Sequence, residues 1–461
     1  MTFEWLYGGA LRSRRDVLAF YRECEQQGGL VRTHIWRLPV CVVTAPDLIE
    51  QVLVSKQRCF IKSGALRSTQ RAFGAGLLTS DKELWRRQRR TIQPAFHAQR
   101  IARYRALMAA ATARLCDTFV DGQVRNIHHD TSELCFEVLA QALFGEDLPA
   151  ARPLVAAAAE ALHQFHHLHA QWIGAAGGLA FAAVRAVSTA LGRPDFVADP
   201  TLLPTSYGRR FRDAVAALDR FVAALLARRR AGRRGDDFLS MLLAARDQSG
   251  APLDDRQIRD EVVTMFLAGH ETAASSLTWA LYLLAAHPAA ARRLATALDA
   301  GDGATDIDQV MRESLRLYPP AYRISRTAVE TCDVGGHEVK AGTEVIIPQW
   351  AVHRSPRFFP EPDAFRPERW TRAFTAALPR YAYFPFGGGP RTCIGNTFAE
   401  VEGSVVLTAI GGRFELRVPP HAQVTPYLGV TLLPSGNALP LEVRRRRLDR
   451  PPIADAANAA S

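Results

Sequence analysis

The chain carries no long apolar run free of charge. Its richest stretch, residues 172–191, is broken by Arg185 and several glycines, so a membrane-spanning helix is not expected. The opening residues 1–10 are too short and too interrupted for a secretory leader or anchor, and Arg12, Arg14 and Arg15 follow at once. Cysteine is scarce as well. The seven cysteines form an odd number without paired spacing, which excludes a disulfide framework and points to a reducing cytoplasm. Six of them, Cys24, Cys41, Cys59, Cys116, Cys135 and Cys332, read as small apolar side chains. No proline-, serine- or glycine-rich linker divides the 461 residues, so one domain is expected over 1–461, its core at about 10–445 and a disordered tail at 451–461. Walker loops, a flavin-domain fingerprint and iron–sulfur cysteine spacings are missing too. Nor is there a nucleic-acid motif. The net charge of +11 comes almost wholly from scattered arginines, which reads as solubility rather than nucleic-acid binding.

Two clusters invite a function and are better read as surface. His163, His166, His167 and His169 include an i, i+4 pair that can clasp zinc, but no helical glutamate or cysteine pair accompanies them. The arginine run at 228–234 reads as a solvated helix end and loop, and 444–447 as the end of a strand.

The chemistry-bearing residues lie elsewhere. Phe386, Gly387, Gly388, Gly389, Pro390, Arg391, Thr392, Cys393, Ile394 and Gly395 form a glycine-rich loop that delivers one cysteine to the start of an apolar, helix-like run, 396–410. The glycines let the backbone approach a flat ligand without a Cβ in the way. A thiolate at a helix N-terminus, among backbone N–H donors, is lowered in pKa and suits a haem iron. Upstream, residues 257–287 are long, largely apolar and free of proline, as in a buried helix. Inside that helix, Ala268, Gly269, His270, Glu271 and Thr272 break local rules, for glycine is a poor helix former and a carboxylate is costly in an apolar run. The Thr272 hydroxyl can bond back to the carbonyl of residue 268 and open the ladder. Glu313 and Arg316 share a helix face ended by Pro319 and Pro320, and Trp85 and Arg89 project from one side of another helix.

The loop matches F-x-x-G-x-R-x-C-x-G at Phe386, Gly389, Arg391, Cys393 and Gly395, and the chain resembles the cytochromes P-450, soluble bacterial type, over about 10–445 in the family's motif order. The resemblance implies a mainly α fold, a triangular helical prism with a small β-rich side, whose strands are expected within 30–43, 343–348 and 414–418. It implies haem b (iron protoporphyrin IX) with Cys393 as the axial thiolate, Phe386 near the sulfur, and Arg391, Arg89, Arg326 and Trp85 at the propionates. Ala268 and Gly269 would make room for dioxygen, Thr272 and Glu271 would supply protons, and Glu313, Arg316 and Arg369 would form a buried network. Phe73, Leu77, Phe266, Ala268, Ala321, Tyr322, Ile324 and 428–432, beginning at Leu428, would line a pocket for a hydrophobic substrate, with 172–191 as its roof. Terpenoid, fatty acid and polyketide-like substrates of secondary metabolism are all compatible. The implied activity is insertion of one oxygen atom from dioxygen, as in hydroxylation. Electrons would come from a separate ferredoxin or flavodoxin and an NAD(P)H-dependent reductase. Arg86, Arg87 and Arg90 are available to dock such an acidic carrier, and the enzyme would be a cytoplasmic monomer. A haem-thiolate peroxygenase or isomerase, or a non-enzymatic haem sensor, is the alternative; the intact pair Glu271 and Thr272 argues against them. One departure from the family is the short segment 289–308, where Gly301 and Gly303 put the usual connecting helices in doubt.

Overall fold

The computed structural model describes residues 16–446 apart from 36–37, 146–205, 233–234, 236 and 247–249. The histidines of 163–169, the segment 172–191, residues 1–10 and the tail 451–461 lie outside the described residues. In chain order the elements that position the site are α1 (Val17–Gln27), β1 (Leu30–Ile35), β2 (Leu38–Val43), β3 (Phe60–Lys62), α2 (Lys82–Ile92), α3 (Ala98–Asp117), β4 (Val124–Asn126) and α4 (Ile127–Phe144). Then come α5 (Ser206–Ala231), α6 (Phe238–Ala244), α7 (Asp255–Ala286), α8 (Pro288–Asp299) and α9 (Ala304–Leu317). The last are β5 (Ile324–Ala328), β6 (Glu344–Ile347), α10 (Asn396–Arg413), β7 (Phe414–Arg417), β8 (Pro426–Leu428), β9 (Leu432–Pro434) and β10 (Pro440–Arg445).

Helices α3, α4, α7 and α10 build the main core. Asp254 opens α7 by accepting from the Gln257 N–H, and Pro288, which has no N–H to lose, takes the first turn of α8. Asn126 caps α4 in the same way, and Gly145 closes it in the left-handed region at φ 58°. The two helices cross through aromatic contacts, with Phe144 stacked on Phe266 at 4.4 Å between centroids. Gly269 faces this crossing. A Cβ there would sit 3.0 Å from the Leu139 side chain of α4, so the missing side chain lets the two helices approach closely.

The β side is a five-stranded sheet in the order β1-β2-β6-β5-β3. Only the β2 and β6 pair is parallel. The expected strand region 30–43 is thus a hairpin, β1 paired with β2 from Leu30 opposite Val43 to Ile35 opposite Leu38. Strands β8 and β9 form a separate hairpin, and β4, β10 and β7 a third sheet.

Two expectations need correction. The short segment after His287 does hold connecting helices, α8 and α9, because Gly301 turns the chain at φ 79° and needs only a few residues to do so. Arg229 is not solvated. Its guanidinium pairs with Asp237 and donates to the Ser240 hydroxyl and the Phe144 carbonyl, tying α5 to the end of α4.

Candidate active site

The cysteine loop is pressed against the β side. Gly387 and Gly389 have φ of 75° and 66°, and a Cβ on Gly389 would lie 2.2 Å from the Leu53 carbonyl oxygen, so no other residue fits there. The Cys393 N–H donates to the Phe386 carbonyl at 2.9 Å, closing the loop. The sulfur is reachable from outside while protein surrounds it closely, and that desolvation raises the thiol's pKa; the Gly395 N–H and the Arg89 charge pull the other way. The lowering expected from the helix start is therefore outweighed. Gly395 has room beside it, the nearest atom to a Cβ being Phe96 at 3.7 Å, so its part is the N–H it aims at sulfur.

Helix α2 brings Trp85 and Arg89 to this loop. Arg89 donates to the Thr392 carbonyl at 2.7 Å, and the Arg391 guanidinium lies 4.5 Å from the Trp85 ring centroid. Arg391 also pairs with Asp81 at 2.7 Å and donates to the Ser80 carbonyl. Register then adds a residue that sequence reasoning missed. On β3, Lys62 stands opposite Arg326 of β5. Lys62 is buried, and its pKa is pushed well below the usual lysine value by desolvation and then by Arg326 and Arg391. Desolvation, followed by repulsion from Arg391, likewise brings Arg326 down to about 10. Asp81 acts on all three cations, and Glu344 adds a second carboxylate on the Arg326 side. A group carrying two carboxylates is what such a cluster would hold, and an iron porphyrin with a thiolate ligand fits it together with Cys393.

On α7, the Thr272 hydroxyl donates to the Ala268 carbonyl at 2.7 Å, as its spacing predicted. Glu271 is half-buried and accepts a hydrogen bond from the Thr431 hydroxyl, which sits in the turn between β8 and β9. Upstream on α7, Asp260 accepts from Ala75 N–H at 2.8 Å and Glu261 from Leu77 N–H at 3.0 Å. These two carboxylates hold the loop before α2. Burial raises the Glu261 carboxyl to about 8.

Glu313 and Arg316 are both fully buried and joined by two bonds of 2.8 and 2.9 Å. Arg369 reaches Glu313 at 3.0 Å, and Trp370 Nε1 and the Arg366 N–H complete its bonds at 2.9 Å each. Arg316 also donates to the carbonyls of His353, Pro362 and Ala364. The three residues named from sequence do meet; Trp370 was a fourth partner that no spacing rule announced.

The expected pocket residues divide. Phe73 and Leu77 sit on the loop held by α7. Phe266 belongs to the crossing of α4 and α7, where it packs on Phe144 and Phe136 rather than lining an opening. Tyr322 is buried beside Phe20 and Tyr21, with Leu428 against the same cluster. Its hydroxyl donates to the Gly429 carbonyl at 3.2 Å. Ile324 faces Gly387, and Ala321 is exposed.

Comparisons agree with this geometry. The sequence matches the cytochrome P450 family over residues 2–440, and the chain belongs to that family. It is 34% identical to cyclooctatin synthase of Streptomyces melanosporofaciens over 91% of this chain and 90% of that protein. Pentalenene oxygenase of Streptomyces avermitilis is 30% identical, covering 91% of each. Among solved structures, the heme domain of cytochrome P450DA superposes with a TM-score of 0.77 at 25% identity, covering 94% of this chain and 93% of that one. A six-coordinated cytochrome P450 from Thermus thermophilus gives 0.71 at 28% identity over 93% and 98%. The protein is thus a haem-thiolate monooxygenase of mainly α fold that oxidises hydrophobic small molecules with dioxygen and electrons from redox partners. No helix among the described residues is long and apolar enough to cross a membrane.

Proposed function

We propose that this enzyme hydroxylates a cyclic terpenoid, as the names of the relatives above suggest for those proteins. The observation that carries the catalytic assignment is the Cys393 sulfur, presented on a tightly folded glycine loop beside the cation cluster of Lys62, Arg326 and Arg391. Cys393 would hold the iron of haem b, and the three cations with Arg89 and Trp85 would hold its propionates. When bound, that group supplies dioxygen activation, with the thiolate favouring cleavage of the O–O bond. Thr272 orients a proton at its hydroxyl, which its bond to the Ala268 carbonyl holds in one rotamer. Glu271 exchanges protons with that hydroxyl. Asp260 and Glu261 keep the apolar loop of Phe73 and Leu77 folded over the substrate. Glu313, Arg316 and Arg369 brace the chain leading to the cysteine loop. The working unit is one catalytic domain over about 10–445, a monomer in the cytoplasm, reduced by a ferredoxin or flavodoxin with an NAD(P)H-dependent reductase.

The test has two parts. Reduced protein with carbon monoxide should show the strongly red-shifted Soret band of a thiolate adduct, and Cys393→Ser should lose it. A panel of terpenoid hydrocarbons and alcohols, fatty acids and polyketides should then shift the spin state for the terpenoids alone. Turnover under labelled dioxygen should add one labelled oxygen atom. A histidine-type carbon monoxide spectrum would sink the cysteine assignment, and a spin shift confined to fatty acids would sink the substrate class.

A further inference from the structure

Glu271 does not stand alone on its helix. The Thr431 hydroxyl donates to its Oε1, and no described residue bonds its Oε2. Thr431 is itself buried, at 5% exposure, although the next residue outward, Val430, is 54% exposed. The turn that carries it is fastened on both sides by the main chain. The Ser275 hydroxyl and the Trp279 indole N–H, both from α7, donate to the Leu432 carbonyl at 2.7 and 2.8 Å. Leu432 N–H donates to the Pro320 carbonyl at 3.0 Å, and Gly429 N–H to the Thr431 carbonyl at 3.0 Å. Tyr322 holds the Gly429 carbonyl. Those bonds would keep the hairpin in place with any residue at 431. The hydroxyl is therefore not needed to fold the turn, yet it is spent on the one carboxylate of the acid–alcohol pair.

We propose that Thr431 is a positioning residue for proton delivery, pinning one oxygen of Glu271 so that the other is left in a fixed place to exchange protons. This rests on the assignment of Glu271 and Thr272 above. A glutamate with one oxygen fixed by a rigid donor presents the second oxygen in a narrow range of orientations, whereas an unpinned side chain must find the productive rotamer at every turnover.

The experiment compares Thr431→Val, which keeps the shape and loses the donor, with Thr431→Ser, which keeps the donor, in the haem-loaded enzyme. Thr431→Val should slow product formation roughly tenfold, a fraction of what general acid–base catalysis supplies. The solvent isotope effect on turnover should rise. Thr431→Ser should restore both. The double variant Glu271→Gln with Thr431→Val should be no slower than Glu271→Gln alone. Independently of turnover, infrared spectra of the resting protein should show the Glu271 carboxylate band, identified by its loss in Glu271→Gln, displaced in Thr431→Val. Unaltered turnover and band in Thr431→Val would overturn the proposal. So would a loss that multiplies fully onto Glu271→Gln, or one that appears only as weakened substrate binding with the isotope effect unmoved. If Glu271→Gln itself runs at full rate, the acid–alcohol assignment fails first, and the displaced band alone would then report the bond without a catalytic role.

Discussion

Lys62 sits buried where Arg326 and Arg391 repel its charge and Asp81 answers it, Glu344 adding a second carboxylate only on the Arg326 side. Such a residue stores strain until an anion arrives, and its removal should have opposite effects on two measurements. In Lys62→Met, haem should pass to a scavenger protein about tenfold faster, a loss of the size expected for one charge-assisted hydrogen bond. The haem-free protein should instead melt at a higher temperature, since a poorly paired buried cation has gone. If both measurements fall together, Lys62 is an ordinary core lysine. Thr272→Ala tests the other face of the site. With the hydroxyl lost and the carbonyl of Ala268 freed, product per NAD(P)H should drop several-fold while hydrogen peroxide rises, with the spin shift intact. Unchanged coupling would count against Thr272 as a proton carrier. At this scale the sequence was informative wherever a residue broke a local rule: a glycine and a glutamate inside an apolar helix, or a cysteine beyond three glycines. Lys62 and Thr431 broke none. One is an unremarked residue on a short strand, the other an ordinary threonine in a hairpin turn, and only pairing across β3 and β5 or packing against α7 gives them meaning.

Among elements, the join between α9 and the stretch holding Arg369 is where a single change should do most harm. Glu313→Ala leaves Arg316 buried without its carboxylate and orphans Trp370 Nε1, a loss of about 3–5 kcal/mol. Little haem-loaded soluble protein should be recovered, and a normal yield would reduce the network to an ornament. Helices α4 and α10 meet at a different kind of contact, where Glu402 lies buried beside Cys135 and desolvation raises its carboxyl to about 8. A folded-state value above the ordinary 4.5 means that the folded protein keeps a proton the unfolded chain gives up. The stability tied to that proton is complete below the ordinary value and is lost as pH rises through 8. Glu402→Gln keeps the neutral shape, so its melting temperature should decline less between pH 6 and pH 9 than that of the parent. Glu261, also raised to about 8, should leave a residual decline, and equal slopes would show Glu402 to be charged. Element boundaries were legible where caps and prolines mark them, as at Asp254 and Pro288. Helices α8 and α9 were obscured by two glycines that looked like a loop, although one tight turn at Gly301 was all they encoded. The pocket was the least legible part. Whether Phe266 faces an opening or α4 depends on a helix crossing, which spacing along one helix does not specify.

For the molecule as a whole, the net charge of +11 bears on how electrons arrive. Arg86 is exposed beside Glu83 on α2, the helix whose other side meets the cysteine loop. Arg86→Glu should slow reduction by an acidic carrier several-fold at low salt, and the difference should shrink as the Debye length falls below about 10 Å. A deficit independent of ionic strength would point to misfolding of α2 instead. The hairpin of β8 and β9 has a different bearing, on descent rather than on rate. Its grip on α7 and on Pro320 runs through backbone atoms of Leu432, and Tyr322 holds it through the Gly429 carbonyl. Every amino acid supplies a carbonyl, so these fastenings survive substitution at the positions that provide them. The exposed side chains of Tyr427 and Val430 can therefore be exchanged one at a time without loosening that frame. Only Thr431, where a side chain does the holding, is withheld from that drift.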